Sequence, residues 1–198
     1  MSQQEPAPAL WIKLVAGVFF ILALVAGIAL SRWLIAEPIG VDTKVPLAEK
    51  TTPPSAQLQL DALHPGFRHG RVDGAMVSMD DFAGEVVLVN FWAPWCAPCR
   101  EEMPMLQQLS SELQGKSFTV VGIALDDVAR VRDFVDQIGI DYPILVGGPD
   151  VLESNKRWGN PTGALPYSVL VDREGIVRWT FLGPLKAPEL RAQIDPLL

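Results

Sequence analysis

A continuous apolar run, followed closely by a pair of cysteines, constrains the fold of this chain more than any other feature. The segment EVVLVNFWA, residues 85–93, has the length and apolar content of a buried β-strand. Cys96 and Cys99 follow it and are the only cysteines in the sequence. After them, apolar residues recur at helical spacing as far as Leu113, and Gly115 then ends the pattern. The sequence therefore predicts a strand, a dithiol and a helix in direct succession.

Segments with strand character alternate with segments of helical periodicity through the rest of the C-terminal part. This alternation predicts an α/β fold with a partly parallel sheet that helices cover on both faces. A hairpin with its turn at residues 172–175 adds an antiparallel part to the sheet. The further predicted strands lie within residues 75–84, 117–125, 141–148 and 166–183, and the further predicted helices are residues 126–139, 150–159 and 187–198.

Length, charge and cysteine content limit the classes of protein to which the chain can belong. The 198 residues suffice for one domain of ordinary size and a targeting segment. The formal net charge of −7 argues against nucleic-acid binding, which requires a clustered basic surface. Two cysteines cannot form a disulfide framework, and a staple across so short a loop would stabilise the fold little. A disulfide in this chain is therefore expected to be functional.

A long apolar segment near the N-terminus predicts a membrane anchor. Residues 14–30 contain no charged side chain. Extended to Trp11 and Trp33, the segment would span about 33 Å as a helix, close to the ~30 Å core of a bilayer, with a tryptophan at each interface. A cleaved signal peptide is the alternative, although its apolar region is usually shorter and its first residues basic. We divide the chain into an N-terminal tail (1–9), a transmembrane anchor (10–36), a tether (37–60) and a globular domain (61–198).

The motif VVLVNFWAPWCAPCREEMP, together with the later ALPYSVLVDREG, resembles the membrane-anchored thioredoxin-like proteins of the TlpA/ResA/CcmG (DsbE) family. The resemblance covers about residues 72–195. It implies a thioredoxin-like fold, with a central mixed β-sheet flanked by helices and preceded by one N-terminal transmembrane helix. It also implies thiol–disulfide oxidoreductase activity through a redox-active disulfide between Cys96 and Cys99, without another cofactor.

The sequence departs from cytoplasmic thioredoxins at Asn90, where thioredoxins have a buried aspartate that moves protons for the second cysteine. The family resemblance assigns this role to Glu102 instead. Cys99 and Glu102 are three residues apart and therefore neighbours on one helix face, whereas Glu101 points about 100° away. The chain also has GALPYS in place of the G-x-P-E-T loop that is typical of cytochrome c maturation members. From the cysteine motif and this assignment of Glu102, we expect the catalytic residues to be Cys96, Cys99 and Glu102.

Cys96 is the expected nucleophile because it opens the predicted helix. A thiolate rather than a thiol attacks a disulfide, and the free N–H groups and dipole at a helix start favour a thiolate. Cys99, one turn further on, is placed to resolve a mixed disulfide. The resemblance further implies that Pro166 follows a cis peptide bond and faces the cysteine pair. The expected substrate-binding residues are Trp95, Ala97, Pro98, Leu165 and Pro166.

The resemblance also implies a location and partners. We expect a single-pass protein of the bacterial inner membrane with its catalytic domain in the periplasm. Ala97 and Pro98 resemble the residues between the cysteines of reducing members, which favours a protein disulfide reductase. In that family, electrons arrive from a membrane thiol transporter. The expected clients are apocytochrome c or the copper-site cysteines of an oxidase.

Two hypotheses from other classes remain open at this point. A metal-delivery or metal-resistance protein could bind copper or zinc, because two cysteines and two histidines form a legitimate ligand set. Its ligands would be Cys96, Cys99, His64 and His69, although the two histidines lie in a glycine-rich segment far upstream, where histidines are usually solvated. The second hypothesis is a non-catalytic adaptor with the same fold. Stoichiometric bound metal would favour the first, and failure to reduce insulin would favour the second.

Overall fold

A computed structural model of the chain describes residues 60–198. The strands are β1 (Arg68–Arg71), β2 (Met76–Ser78), β3 (Val86–Trp92), β4 (Phe118–Leu125), β5 (Ile144–Gly147), β6 (Tyr167–Val171) and β7 (Val177–Leu182). The helices are α1 (Ala97–Glu112), α2 (Val128–Ile138), α3 (Pro149–Arg157) and α4 (Ala187–Ile194), with short 3-10 turns at Met79–Phe82 and Asp195–Leu197. The predicted anchor (10–36) and almost all of the tether (37–60) lie outside the described residues. Within residues 60–198, no helix has the length and apolar content needed to cross a membrane.

The seven strands form one mixed sheet in the order β2-β1-β5-β4-β3-β6-β7. β3, β4 and β5 are parallel to one another and occupy the centre. β6 and β7 extend the sheet in antiparallel fashion beyond β3, as the hairpin pattern predicts. The α/β class, the partly parallel sheet and the hairpin are therefore confirmed.

At the other edge of the sheet, β2 lies within the predicted strand segment 75–84, but β1, between β2 and β5, was not predicted from the sequence. β1 pairs antiparallel with both β2 and β5 and places a second antiparallel unit there. The glycine-rich segment that contains His69 is thus a strand rather than a loop. Its sequence, RHGR, has no run of apolar residues, so periodicity alone gives no strand signal.

Side chains of β3 alternate between two hydrophobic layers, as expected for a strand with helices on both faces. Val87, Val89 and Phe91 pack with Val151 and Trp158 of the α3 region. Leu88 and Trp92 belong to the opposite layer, which contains the buried residues of helices α1, α2 and α4. Asn90 lies between Leu88 and Trp92 in the alternation and therefore faces the α1 side of the sheet.

Helix α1 begins directly after β3 because the intervening residues supply a start signal. Cys96 is the N-cap, and its Sγ accepts a hydrogen bond from the backbone N–H of Cys99. Pro98 lies in the first turn, where the missing N–H costs no helical hydrogen bond. Gly115, with φ of +79°, turns the chain after the helix ends. The boundaries agree with the predicted helix and hold the cysteine pair at the carboxyl end of a central strand.

Candidate active site

Cys96 and Cys99 form a disulfide at the N-terminus of α1, with a Cα–Cα distance of 5.3 Å. The two sulfurs differ in accessibility, since 6% of the surface of Cys96 is exposed whereas Cys99 is fully buried. The N–H of Cys99 donates to the Sγ of Cys96 over 3.3 Å. A negative charge on Cys96 would therefore meet a directed N–H group and the positive end of the helix dipole. Such an environment favours a thiolate at this position.

The residues around Cys96 form an apolar surface. Trp95 is 65% exposed although it is one of the largest apolar side chains in the protein. Ala97 is exposed and Pro98 is half-buried. An open cleft of about 580 Å³ adjoins Trp95 on the side of α2. Its lining residues are Pro94, Trp95, Leu125, Asp126, Arg130 and Gly148.

The Leu165–Pro166 peptide bond is cis, as the sequence resemblance implies. Tyr167, the first residue of β6, pairs with Phe91 near the end of β3, so Pro166 lies at the end of the sheet from which Cys96 emerges. The carbonyl of Pro166 accepts a hydrogen bond from the N–H of Gly183. Within residues 60–198, neither backbone polar group of Leu165 forms a backbone hydrogen bond.

Glu102 is buried one helical turn beyond Cys99, with only 3% of its surface exposed, whereas Glu101 is exposed. The predicted helix phase is therefore correct. Both carboxyl oxygens of Glu102 are hydrogen-bonded, since Oε2 accepts from the backbone N–H of Leu185 over 2.6 Å and Oε1 from Nδ2 of Asn90 over 2.8 Å. Burial raises the pKa of Glu102 to about 7, against the opposing effect of these two hydrogen bonds. The carboxyl group can therefore change its protonation state near neutral pH.

Asn90 connects Glu102 to the neighbouring strand β6. Its Nδ2 group donates a second hydrogen bond, to Oγ of Ser168, over 3.0 Å. Ser168 lies directly opposite Asn90 in the β3–β6 pairing, and both residues are fully buried. Oδ1 of Asn90 has no hydrogen-bond partner. Sequence reasoning missed the parts of Ser168 and Leu185 in this network; the available signal for Ser168 was a polar residue inside an apolar strand.

Tyr142 is a further titratable residue near Glu102. It lies just before β5 and is buried, and its hydroxyl group has no hydrogen-bond partner. Burial raises the pKa of Tyr142, and the negative charge of Glu102 raises it further. Tyr142 therefore stays neutral across the range in which Glu102 titrates.

The two histidines of the metal hypothesis, His64 and His69, contact other residues than the cysteine pair. His69 is buried in β1, where Nδ1 is 3.0 Å from Oδ2 of Asp150 and Nε2 is 2.8 Å from Oγ of Ser154. β1 is three strands away from β3, or about 14 Å at ordinary strand spacing. His64 is half-buried and stacks on Trp158, with ring centroids 5.9 Å apart. Across the described part of the chain, no group of three or more His, Cys, Asp and Glu side chains is suited to hold a metal ion.

A mixed sheet with a helix-capping Cys-x-x-Cys pair after a central strand and a cis-proline at the same end defines a thioredoxin-like protein. The chain belongs to the Redoxin family, whose model matches residues 52–194. This match includes the cysteine pair and every strand and helix described above except the last 3-10 turn.

Curated relatives and solved structures agree with this assignment. The thiol-disulfide oxidoreductase ResA of Bacillus thuringiensis is 28% identical over 143 residues, which cover 71% of this chain and 80% of that protein. ResA of Oceanobacillus iheyensis is 39% identical over 127 residues, or 64% of each chain. The crystal structure of a DsbF homologue from Corynebacterium diphtheriae is 30% identical and has a TM-score of 0.62, with 69% of this chain and 87% of that one covered. The protein is thus a thioredoxin-like thiol–disulfide oxidoreductase.

Proposed function

We propose that this protein is a reductase of protein disulfides, that Cys96 attacks the client and that Cys99 resolves the mixed disulfide. The reducing direction rests on Ala97 and Pro98, which resemble the residues between the cysteines of reducing members. The observation that carries the proposed exchange chemistry is a buried carboxyl group, Glu102, one helical turn from the buried cysteine. An adaptor without catalysis would have no use for a titratable group at this position. A metal-binding role has no such support, because His69 is committed to Asp150 and Ser154.

The reaction moves two electrons from the enzyme to the client. The Cys96 thiolate attacks one sulfur of the client disulfide, forms a mixed disulfide and releases the other client sulfur as a thiolate, which takes a proton. Cys99 then loses its proton and attacks Sγ of Cys96. The mixed disulfide breaks, the second client thiolate leaves, and the enzyme retains the Cys96–Cys99 disulfide present in the structure. A dithiol donor must reduce this disulfide again.

Glu102 accepts the proton of Cys99 during the resolving step and returns it during re-reduction. A group exchanges protons most effectively when its pKa is close to the working pH. The pKa of Glu102, raised by burial to about 7, meets this condition, whereas an ordinary glutamate would be fully ionised. Its position at i+3 places the carboxyl on the helix face of Cys99.

Clients bind across the apolar surface around Cys96. Trp95, Ala97 and Pro98 supply one wall, and the backbone of Leu165 before the cis-proline supplies unpaired polar groups. A client segment in extended conformation can pair with these groups as an added strand would. The cleft beside Trp95 can receive a side chain next to the client cysteine.

The proposed location is the periplasmic face of the inner membrane, with residues 10–36 as a retained anchor. There the protein would draw electrons from a membrane thiol transporter and reduce apocytochrome c or the copper-site cysteines of an oxidase. A reporter that is active only outside the cytoplasm, fused after Leu198, should be active. Activity of a cytoplasm-specific reporter at the same position would contradict the topology, and a mature protein that begins near Leu30 would contradict retention of the anchor.

The function itself is tested by trapping the mixed disulfide. In full-length protein, Cys99→Ser leaves the attacking cysteine but removes the resolving one, so covalent adducts with clients should accumulate. They should be visible on a non-reducing gel and disappear when reductant is added. The matched variant Cys96→Ser should give none. Adducts with Cys96→Ser alone would reverse the roles of the two cysteines, and adducts with neither variant would contradict the proposed function.

A further inference from the structure

Only the nitrogen of the Asn90 side-chain amide, Nδ2, forms hydrogen bonds; the oxygen, Oδ1, forms none. The Nδ2 group faces two oxygens, Oε1 of Glu102 at 2.8 Å and Oγ of Ser168 at 3.0 Å. All three side chains are buried, and Asn90 and Ser168 are fully so. A buried amide oxygen without a partner is unfavourable and calls for a physical explanation.

Both partners of Nδ2 can change from acceptor to donor. A serine hydroxyl can rotate and donate its hydrogen, and a carboxyl group donates once it is protonated. The backbone N–H of Leu185 can only donate, and it occupies Oε2 of Glu102. The hydrogen of a protonated Glu102 is therefore favoured on Oε1, which is the oxygen that faces Asn90.

We propose that Asn90 is a positioning residue whose amide turns over when Glu102 gains or loses a proton. With Glu102 ionised, Nδ2 donates to both partners in the amide orientation that the structure has. With Glu102 protonated, the amide rotates by half a turn, and Oδ1 accepts hydrogen bonds from Glu102 and Ser168. In each orientation one end of the amide lacks a hydrogen-bond partner: Oδ1 in the first and Nδ2 in the second. The two orientations therefore leave the same number of amide ends without a partner. The carboxyl group remains hydrogen-bonded in both protonation states.

This inference rests on the proposed function, in which Glu102 exchanges a proton with Cys99. Hydrogen bonds that favour only the ionised form would hold Glu102 ionised and hinder the return of the proton. An amide that serves both forms keeps the carboxyl in one place during the proton transfer. The other titratable groups near Glu102 are Cys96 and Cys99 on the same helix and Tyr142 before β5. Tyr142 stays neutral in this range and the disulfide carries no charge, so Glu102 is the member of this cluster that changes its charge in the oxidised protein.

The test is a nuclear magnetic resonance measurement on the full-length, oxidised protein. In the observed orientation, the Nδ2 hydrogens of Asn90 lie close to the β hydrogens of Ser168 and should give a nuclear Overhauser effect (NOE). This signal should be present at about pH 9 and lost at about pH 5, two units either side of the Glu102 pKa of about 7. Its midpoint should coincide with the titration of the Glu102 carboxyl carbon.

The variant Glu102→Gln should hold the Asn90 amide in its turned-over orientation without a change of pH. In Glu102→Gln, the amide oxygen must accept from Leu185, so the new NH₂ group faces Asn90 and two donors would meet unless Asn90 turns over. The NOE to Ser168 should then be absent at both pH values. The matched variant Glu101→Gln alters an exposed carboxyl on the same helix and should leave the pH-dependent NOE unchanged.

The inference is overturned if the NOE persists at low pH, because Nδ2 would then still donate to the protonated carboxyl group. It is equally overturned if the signal is lost at low pH but present in Glu102→Gln. Its failure is distinguishable from that of the proposed function. If Asn90 turns over but Glu102→Gln leaves the pH dependence of disulfide exchange intact, the proton-transfer role of Glu102 is wrong while the amide switch stands.

Discussion

The backbone N–H of Leu185 donates to Oε2 of Glu102 over 2.6 Å, across the interface between the β7–α4 connection and helix α1. This bond joins two segments that are 83 residues apart in the chain. It holds the carboxyl group in the core although burial disfavours its ionised form. The protein thus retains, close to its cysteine pair, a carboxyl group that is only half ionised near neutral pH.

Replacement of Glu102 by Gln should slow disulfide exchange and alter its pH dependence. The amide keeps the size of the side chain but cannot take up the proton of Cys99. We expect a rate decrease of roughly 10²-fold or more in the resolving step, together with loss of the inflection near pH 7, in an insulin-reduction or stopped-flow assay. Glu101→Gln is the matched control and should behave as the wild type. A larger effect at Glu101 would contradict the assignment.

The same substitution should stabilise the oxidised protein at high pH. The pKa of Glu102 is about 7 in the folded protein and 4.5 as its reference value. The folded state therefore binds more protons than the unfolded state between these values, and the free energy of unfolding falls as the pH rises through this window. The loss amounts to about 3 kcal/mol once the pH exceeds the folded pKa.

Glu102→Gln removes this pH-dependent cost. In denaturant unfolding with the disulfide intact, the stability of the variant relative to wild type should increase by about 3 kcal/mol from pH 4.5 to pH 8. Glu101→Gln should show no such trend, because its carboxyl is exposed. A stability difference that does not change with pH would show that Glu102 has an ordinary pKa.

The sequence was sufficient to predict the central strands, the helix that follows the cysteines and the position of Glu102. These predictions rest on strong local signals, namely apolar runs in β3 and β4 and the three-residue spacing from Cys99. The helix phase followed from the spacing alone, because an α-helix has a fixed number of residues per turn.

The network around Glu102 and strand β1 could not be predicted in this way. Ser168 and Leu185 reach Glu102 through strand pairing and a long-range backbone contact, and neither leaves a periodic pattern in the sequence. β1 contains no apolar run, and its position between β2 and β5 depends on pairing with a strand far along the chain. His69, which sequence reasoning considered as a metal ligand or solvated residue, is instead a buried link between this strand and α3.

His69 should contribute to stability and not to redox chemistry. Because the carboxylate of Asp150 can only accept, Nδ1 of His69 carries a hydrogen, and in the neutral ring Nε2 accepts from Oγ of Ser154, which is fully buried. His69→Ala leaves that hydroxyl without its acceptor and should lower the free energy of unfolding by about 2–4 kcal/mol. The rate of disulfide exchange by the folded protein should be unchanged.

The half-buried His64 provides the control for His69. His64→Ala removes one hydrogen bond, to the N–H of Gly66, and should cost less than half as much stability. Zinc or copper at stoichiometric amounts in the full-length protein, purified without chelator and lost in both variants, would contradict this view of the histidines. Equal stability of His69→Ala and the wild type would contradict the structural role of His69.

Replacement of Asn90 by Asp should couple two carboxyl groups in the core. The new carboxylate would lie where Nδ2 now contacts Oε1 of Glu102 over 2.8 Å. Two carboxylates at this distance cannot both ionise readily, so the pair should share one proton and titrate in two macroscopic steps. The upper step should lie at least about one pH unit above the wild-type titration and move the pH dependence of exchange in the same direction. Asn90→Leu, similar in size but uncharged, should give a single titration; a single, unshifted titration in Asn90→Asp would contradict direct contact between residue 90 and Glu102.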